Sequence, residues 1–262
     1  MNIIVLVKQV PDTTEIKIDK VTNTLIRVGV PNIVNPDDLA GVEEALKLKE
    51  KYGGKVTVVT MGPPQAEGML KELYARGIDK AYLLTDPKFA GSDTWATSKI
   101  LSSFISTLKF DLIIAGYQAI DGDTAQVGPQ VAAFLNIPQV THVSKMIGVD
   151  SRELIVEKKY ENEVVVLGVE LPALITSLKT MNSPRNMNAF DIWNLDDKEV
   201  VKIVFSDLKI DPNEIGLLGS PTRVKTTYTK ALVSKAPSEK LEPEEAAKRI
   251  VSLLKPYIKE EK

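Results

Sequence analysis

The stretch DLIIAGYQAIDGDTAQVGPQVAAFL, residues 111–135, decides the fold. It opens with DLIIA, Asp111 to Ala115, a continuous apolar run expected of a strand buried on both faces. It ends with Val131, Phe134 and Leu135 at helical spacing. Between them lies DGDTAQVGP, Asp121 to Pro129, small and polar enough to be a strand-to-helix loop. The same unit recurs upstream. Ile3 to Val7 (IIVLV) and Lys55 to Met61 (KVTVVTM) read as core strands, and Ala81 to Leu84 as a shorter one. Asn35-Pro36-Asp37-Asp38 opens a helix carried on by Leu39, Val42, Ala45, Leu46 and Lys49. Asn35 or Asp37 is its expected cap, and Gly53-Gly54 ends it. Pro63 to Arg76 predicts a second helix, stopped by Gly77. Gly91-Ser92-Asp93-Thr94 precedes a third, with Ile100, Leu101, Phe104, Ile105 and Leu108 on its apolar face. This alternation predicts an α/β fold with a doubly wound, mostly parallel sheet.

Either side of this frame the rhythm differs. Ile16 to Ile18 and Leu25 to Val28 read as a hairpin turned at Val21 to Thr24. After Asn136, the runs Val143 to Val149, Leu154 to Tyr160, Val164 to Val169 and Ala173 to Ser177 predict an antiparallel extension, with a turn at Glu161-Asn162. From Lys179 to Lys240 the pattern weakens and Pro184, Pro212, Pro221 and Pro237 interrupt it. Such a stretch is uncommon in a compact monomer and predicts an arm that lies on another surface. Leu241 to Lys259 reads as an amphipathic helix capped before Pro243. The expected division is therefore an α/β domain at 1–178 and an arm at 179–262.

Composition narrows the function. The 262 residues carry 33 basic and 35 acidic side chains, a net charge of −2, which gives no electrostatic footprint for nucleic acid. Cysteine is absent, so disulfides, thiolate metal sites and a cysteine nucleophile are excluded. No apolar run approaches the roughly 20 residues of a membrane span, and Met1 to Val10 lacks the layout of a signal peptide. A soluble, cytoplasmic protein without membrane insertion is expected.

In an open parallel sheet, ligands bind beyond the carboxyl ends of the strands. Val7-Lys8-Gln9, Asn35 to Asp38, Met61-Gly62 and Gly116 to Gly128 fall there. In the last of these, Gly122, Ala125 and Gly128 let backbone approach a ligand, and Thr124 and Gln126 offer donors. The helix that follows presents free N–H groups and a positive dipole end to a phosphate. Asp121 and Asp123 would repel a phosphate and are assigned to capping, turn making or ribose contact. An ordinary loop with aspartate caps satisfies the same pattern, and the loop is neither a P-loop nor G-x-G-x-x-G. Asp93 and Thr94 read either as a helix cap or as a second polar wall. Lys8 either ends its strand in solvent or faces an anion. His142, the one histidine, has no companion nucleophile or metal ligand and reads as structural. The pairs Asp37-Asp38, Glu43-Glu44 and Asp196-Asp197 read as solvated turns and helix faces. Phe190 and Trp193, in the arm, suit either a core or a partner interface.

Six blocks in order resemble the beta subunit of electron transfer flavoprotein. They are VLVKQVPD (Val5 to Asp12), NPDDLAGVEEALKLKE (Asn35 to Glu50), VTVVTMGPPQA (Val56 to Ala66), AGYQAIDGDTAQVGPQVAAFL (Ala115 to Leu135), ELPALIT (Glu170 to Thr176) and GSPTRV (Gly219 to Val224). The resemblance implies a Rossmann-like domain whose C-terminal arm wraps an alpha subunit carrying its own FAD. It implies an adenine nucleotide against Leu6, Asn35, Pro36, Asp37, Asp38 and Met61, and against the loop Asp121, Gly122, Asp123, Thr124, Ala125, Gln126, Val127 and Gly128. Lys8, Asp93 and Thr94 complete the expected site. The nucleotide is AMP in simple members. In electron-bifurcating members it is a second FAD that takes hydride from NADH, passing one electron to a low-potential acceptor such as ferredoxin or flavodoxin. The other goes through the alpha-subunit FAD to a flavin dehydrogenase. DGDTAQVGP with AGSDTWATSKIL (Ala90 to Leu101) is similar to the bifurcating branch. Pro184 to Trp193 aligns with the loop that docks an acyl-CoA or hydroxy-acid dehydrogenase. That loop's usual leucine is replaced by Ala189, followed by Phe190. Glu161-Asn162-Glu163 replaces the family's common Asp-Gly-Gly turn.

Overall fold

A computed structural model describes residues 1–12, 17–18, 25–26, 31–223 and 240–257. The chain runs β1 (Asn2–Leu6), β2 (Gln9–Pro11), β3 (Lys17–Ile18), β4 (Leu25–Ile26), β5 (Asn32–Val34), α1 (Pro36–Tyr52), β6 (Lys55–Met61), α2 (Ala66–Tyr74), β7 (Lys80–Leu84), α3 (Thr94–Ile105), β8 (Leu112–Gly116) and α4 (Val127–Leu135). It continues through β9 (Gln139–Asp150), β10 (Glu153–Lys159), β11 (Val164–Glu170), β12 (Ala173–Ser177), α5 (Ala189–Trp193), β13 (Val200–Ile203) and α6 (Pro243–Leu254). The expected hairpin is present as the antiparallel pair β3–β4. Its turn at Val21 to Thr24 lies outside the described residues, as do residues 224–239 and 258–262.

One nine-stranded sheet, in the order β11-β10-β9-β12-β8-β1-β6-β7-β13, forms the core. From β9 through to β13 every neighbouring pair is parallel. The pairs β9–β10 and β10–β11 are antiparallel. The Rossmann-like α/β reading holds. One strand departs from the expected antiparallel extension: Ala173–Ser177 returns to insert between β8 and β9, parallel to both. Its five residues are all buried, as a central parallel strand requires.

The side-chain period of two sorts β1 between two cores. Ile3, Val5 and Val7 join Val42 and Leu46 of α1 and Leu70 and Leu73 of α2. Ile4 and Leu6 join Ile100 and Phe104 of α3 and Val131 of α4. After β1 the chain builds outward through β6 and β7, then crosses back to place β8 on the other flank of β1. The strand order therefore reverses at β1, and a crevice opens beyond its carboxyl end.

The segment 179–223 lies on the chain's own domain. The compact unit runs Met1–Val224, past the boundary expected at residue 178, and Lys225–Lys262 forms a second unit. Three anchors hold the segment down. β13 pairs in parallel with β7. Asn182 and Arg185 bond to Glu44 and Glu43 of α1. Asp93 accepts from both the main-chain N–H and the hydroxyl of Thr222. Weak periodicity here reflects a strap held by polar side chains, a pattern that apolar spacing does not register. In the second unit, α6 covers Pro243–Leu254 of the helix expected over Leu241 to Lys259, without a side-chain cap, and Ile250, Val251, Leu253 and Leu254 on it are exposed.

Candidate functional site

A cleft of about 370 Å³ opens at the reversal point. Leu6, Val7 and Lys8 line it from the end of β1, Val59 and Met61 from β6, and Ala115, Gly116, Tyr117, Gln118 and Ala119 from the end of β8. Gly122, Thr124, Ala125, Gln126, Val127 and Gly128 close one side. Ser92, Asp93, Thr94, Thr97 and Leu101 of α3 close the other. Its volume falls at the lower end of small-molecule sites, and its lining is apolar with a few placed polar groups.

The loop before α4 is built to hold an awkward shape. Asp123 and Ala125 take left-handed backbone, at φ 49° and 53°. Such conformations are uncommon for residues with a Cβ and cluster at ligand sites. Asp123 Oδ1 accepts from Gln118 Nε2 at 3.0 Å, which ties the loop to its own start. No side chain caps α4, so the amides of its first turn remain free for an anion. Pro129 is the third helical residue, where its lost N–H breaks no helical bond. Gln126 Oε1 accepts from Thr94 Oγ1 at 2.8 Å, bridging the two walls.

The start of α3 is different. Asp93 caps it, accepting from the Ala96 N–H at 3.1 Å. Burial works against its charge, but hydrogen bonds from Thr222 and Ala96 hold its carboxyl below the usual range. A helix end already met by a carboxylate is a poor phosphate seat. The start of α4 carries no such carboxylate.

Lys8 Nζ holds both oxygens of Asp121, at 2.7 and 2.8 Å. Thus Lys8 borders the cleft with its charge matched, and Asp121 serves as its counter-ion outside the lining. Asp123 also stays outside. Gly122 lines the cleft with open space around it. Gly128 has a second duty, because a Cβ there would meet Thr176 Cγ2 at 2.9 Å and Ala115 Cβ at 3.3 Å. It lets α4 settle on β8 and β12.

Asn35, Pro36 and Asp37, expected against the nucleotide, are absent from the lining, while Asp38 borders it. Asn35 stands at the N-cap position of α1, as expected, but its side chain makes no cap bond there. Asn35 is completely buried and its amide reaches across to the loop after β8 instead. Asp37 Oδ1 accepts from the Lys179 N–H at 2.6 Å. The acidic pairs on α1 also differ from expectation. Asp37, Asp38, Glu43 and Glu44 are all buried, while Asp196 and Asp197 are exposed. Desolvation pushes Asp37 up and Asp38 up to about 7, against the hydrogen bonds each accepts.

His142 lies outside the lining and packs on Tyr117, ring centroids 4.3 Å apart. Burial, with the Lys158 charge, lowers its pKa below the ordinary imidazole value. Among the described residues no cluster of His, Asp and Glu could hold a metal, and no helix is long and apolar enough to cross a membrane. Tyr117 to Ala119, within the segment Gly116 to Gly128 that the sequence placed at a strand end, continue β8 into the cleft, though none was singled out as a contact. The sequence reading missed Thr97 and Leu101, although helical spacing from Thr94 puts all three on one face.

Residues 22–200 match the electron transfer flavoprotein domain family. The chain is 54% identical over 230 residues to the electron transfer flavoprotein subunit beta of Thermoanaerobacterium thermosaccharolyticum, covering 87% of this chain and 88% of that protein. It is 49% identical over 255 residues to the corresponding subunit of Clostridium acetobutylicum, covering 97% and 98%. It is 47% identical over 231 residues to the caffeyl-CoA reductase-Etf complex subunit CarD of Acetobacterium woodii, covering 87% and 88%. The reversed-order sheet, the cleft at its switch point and these extended identities lead to one assignment: the chain belongs to the electron transfer flavoprotein family, among its beta subunits.

Proposed function

We propose that the cleft holds the adenosine-diphosphate part of a second FAD, and that the subunit takes hydride from NADH and bifurcates the electrons. The observation that carries this is the uncapped start of α4, aimed into a cleft at the switch point behind a loop with two left-handed residues. The residues fit the group. Amides at Val127 and Gly128 suit the pyrophosphate, Thr124 and Gln126 supply side-chain donors, and Leu6, Val59 and Met61 give an apolar seat for a base. Lys8 pairs with Asp121 at the rim, which keeps the Asp121 charge matched beside the phosphates. When bound, FAD supplies a two-electron acceptor that can release electrons singly. The protein's part is to fix its orientation, keep water from the apolar wall, and hold the phosphates at the start of α4.

The partners follow from the same reading. The second unit, Lys225–Lys262, lies along the alpha subunit, which carries the other FAD. Pro184 to Trp193 docks a flavin-dependent acyl-CoA or hydroxy-acid dehydrogenase, with Phe190 and Trp193, 77% and 88% exposed, as its anchors. The name of the Acetobacterium woodii relative, a subunit of a caffeyl-CoA reductase complex, supports this class of partner. Ferredoxin or flavodoxin is the low-potential acceptor, and the complex is cytoplasmic. A second reading, a structural AMP, is favoured by the modest cleft volume, which suits a mononucleotide. Anaerobic mixing of the heterodimer with NADH separates the two. Bleaching of flavin absorbance by NADH supports the bifurcating role. Unchanged absorbance with NADH, in a heterodimer reduced normally by a dehydrogenase partner, contradicts it.

A further inference from the structure

Asn35 and Asp38 sit beside the cleft with their polar atoms already taken by protein. Asn35 Nδ2 donates to Asp38 Oδ1 at 3.0 Å and to the Gln118 carbonyl at 2.8 Å. Asn35 Oδ1 accepts from the Ile120 N–H at 3.1 Å. Asp38 Oδ2 accepts from the Lys8 N–H at 2.7 Å. The main chain closes the loop, because the Asn35 N–H donates to the Lys8 carbonyl at 2.9 Å. Two buried side chains thus join the end of β1, the start of α1 and the loop that follows β8. Gly116 admits the carboxylate, since a Cβ there would fall 1.9 Å from Asp38 Oδ1.

We propose that Asn35 and Asp38 are positioning residues, a buried clamp that sets the loop from Gln118 toward Thr124 in its nucleotide-binding shape, Asn35 from behind the cleft and Asp38 from its wall. The inference rests on the nucleotide reading of the cleft. Its logic is satisfaction: a fully buried amide with both N–H donors and its oxygen engaged by protein has no donor left for a ligand, and a loop with left-handed residues needs an external hold. The carboxylate is the apex. Every group that meets it is a donor, so a proton on Asp38 would displace one of them. Desolvation raises Asp38 to about 7, with Asp37 beside it adding to the rise. The other charges nearby are Lys179, whose main chain holds Asp37, and Lys8, whose ammonium is turned to Asp121. The clamp is therefore complete above neutrality and weakens below it.

The test uses the heterodimer with its alpha subunit, freed of exchangeable nucleotide by dialysis. FAD is the titrant, since its pyrophosphate has no proton titrating between pH 5.5 and 8.5, unlike the terminal phosphate of AMP, with a second pKa of about 6. Asn35→Ala should raise the FAD dissociation constant by about tenfold or more and speed amide exchange across 117–126, while β6 exchange stays as in wild type. Wild-type affinity should fall by up to about tenfold per pH unit below neutrality, and Asp38→Asn should flatten that profile. If Asn35→Ala proves unstable, the wild-type and Asp38→Asn profiles decide. An opposite slope, with FAD bound more tightly at low pH, means that Asp38 acts on the ligand through space, and overturns the clamp. Unchanged affinity and exchange in Asn35→Ala also overturn it. Wild type that takes up neither FAD nor AMP instead overturns the nucleotide reading itself.

Discussion

Asp38 is a buried carboxylate whose desolvation bears on stability. Its folded pKa, about 7, lies above the 3.8 of an ordinary aspartate. The unfolded chain therefore loses this proton first as pH rises. Its contribution to stability is fully present below about 4 and is lost as pH rises through 7, at about 1.4 kcal/mol for each pH unit in that window. Wild type compared with Asp38→Asn by denaturant unfolding should lose relative stability between pH 4 and 7. A flat difference would show that the carboxylate is not strained by burial. Gly128 gives a second residue-scale prediction. Gly128→Val forces a side chain against Thr176 and Ala115. It should cost about 1–3 kcal/mol by overpacking, with nucleotide loss as a consequence of the shifted helix. Full stability alongside an empty cleft would place the glycine's role at the ligand alone. The sequence marked Gly128 as a place where backbone approaches a ligand, and the structure shows Thr176 and Ala115 against it. The sequence could not tell ligand from strand as the thing approached, because Thr176 lies far away in the chain. The same limit hid the duty of Asn35, whose partners are 83 and 85 residues away.

Elements with regular apolar spacing were legible almost to their ends. KVTVVTM became β6 and ALITS became β12 with unchanged bounds. Legibility failed where polar contacts act over long range. The direction of β12 depends on a crossover and not on its own residues. The strap at 179–188 is fixed to α1 by acids that read as a solvated face. Arg185 donates to Glu43 through Nε at 2.9 Å and to Glu50 through Nη1 at 2.5 Å. These carboxylates are not equivalent. Glu43 is 5% exposed, while the Glu50 side chain is 59% exposed. Removing Arg185 strands a buried charge, so Arg185→Ala should cost about 1–3 kcal/mol. Glu50→Ala should cost less than about 1 kcal/mol, and that small loss should fade in high salt. Equal costs in urea unfolding would refute this ranking.

At the scale of the molecule, the two compact units divide the labour. Met1–Val224 carries the sheet, the cleft and the polar strap. Lys225–Lys262 carries α6, whose Ile250, Val251, Leu253 and Leu254 find no cover within the described residues. Exposed apolar side chains on one helix are a surface for a partner. Truncation after Val224 should leave the thermal unfolding midpoint of the first unit within a few degrees of the full chain, and should abolish stable association with the alpha subunit. A truncated chain that still co-purifies with the alpha subunit would put the main interface on the first unit.

Whether the cleft carries a redox flavin or a structural nucleotide turns on nucleotide content. The chain should be co-expressed with its alpha subunit, the purified heterodimer denatured, and the released nucleotides separated and counted. Two FAD per heterodimer is the expected result. One FAD with one AMP would contradict a bifurcating role while leaving the α4 phosphate site intact, and one FAD with no second nucleotide would contradict the site as well.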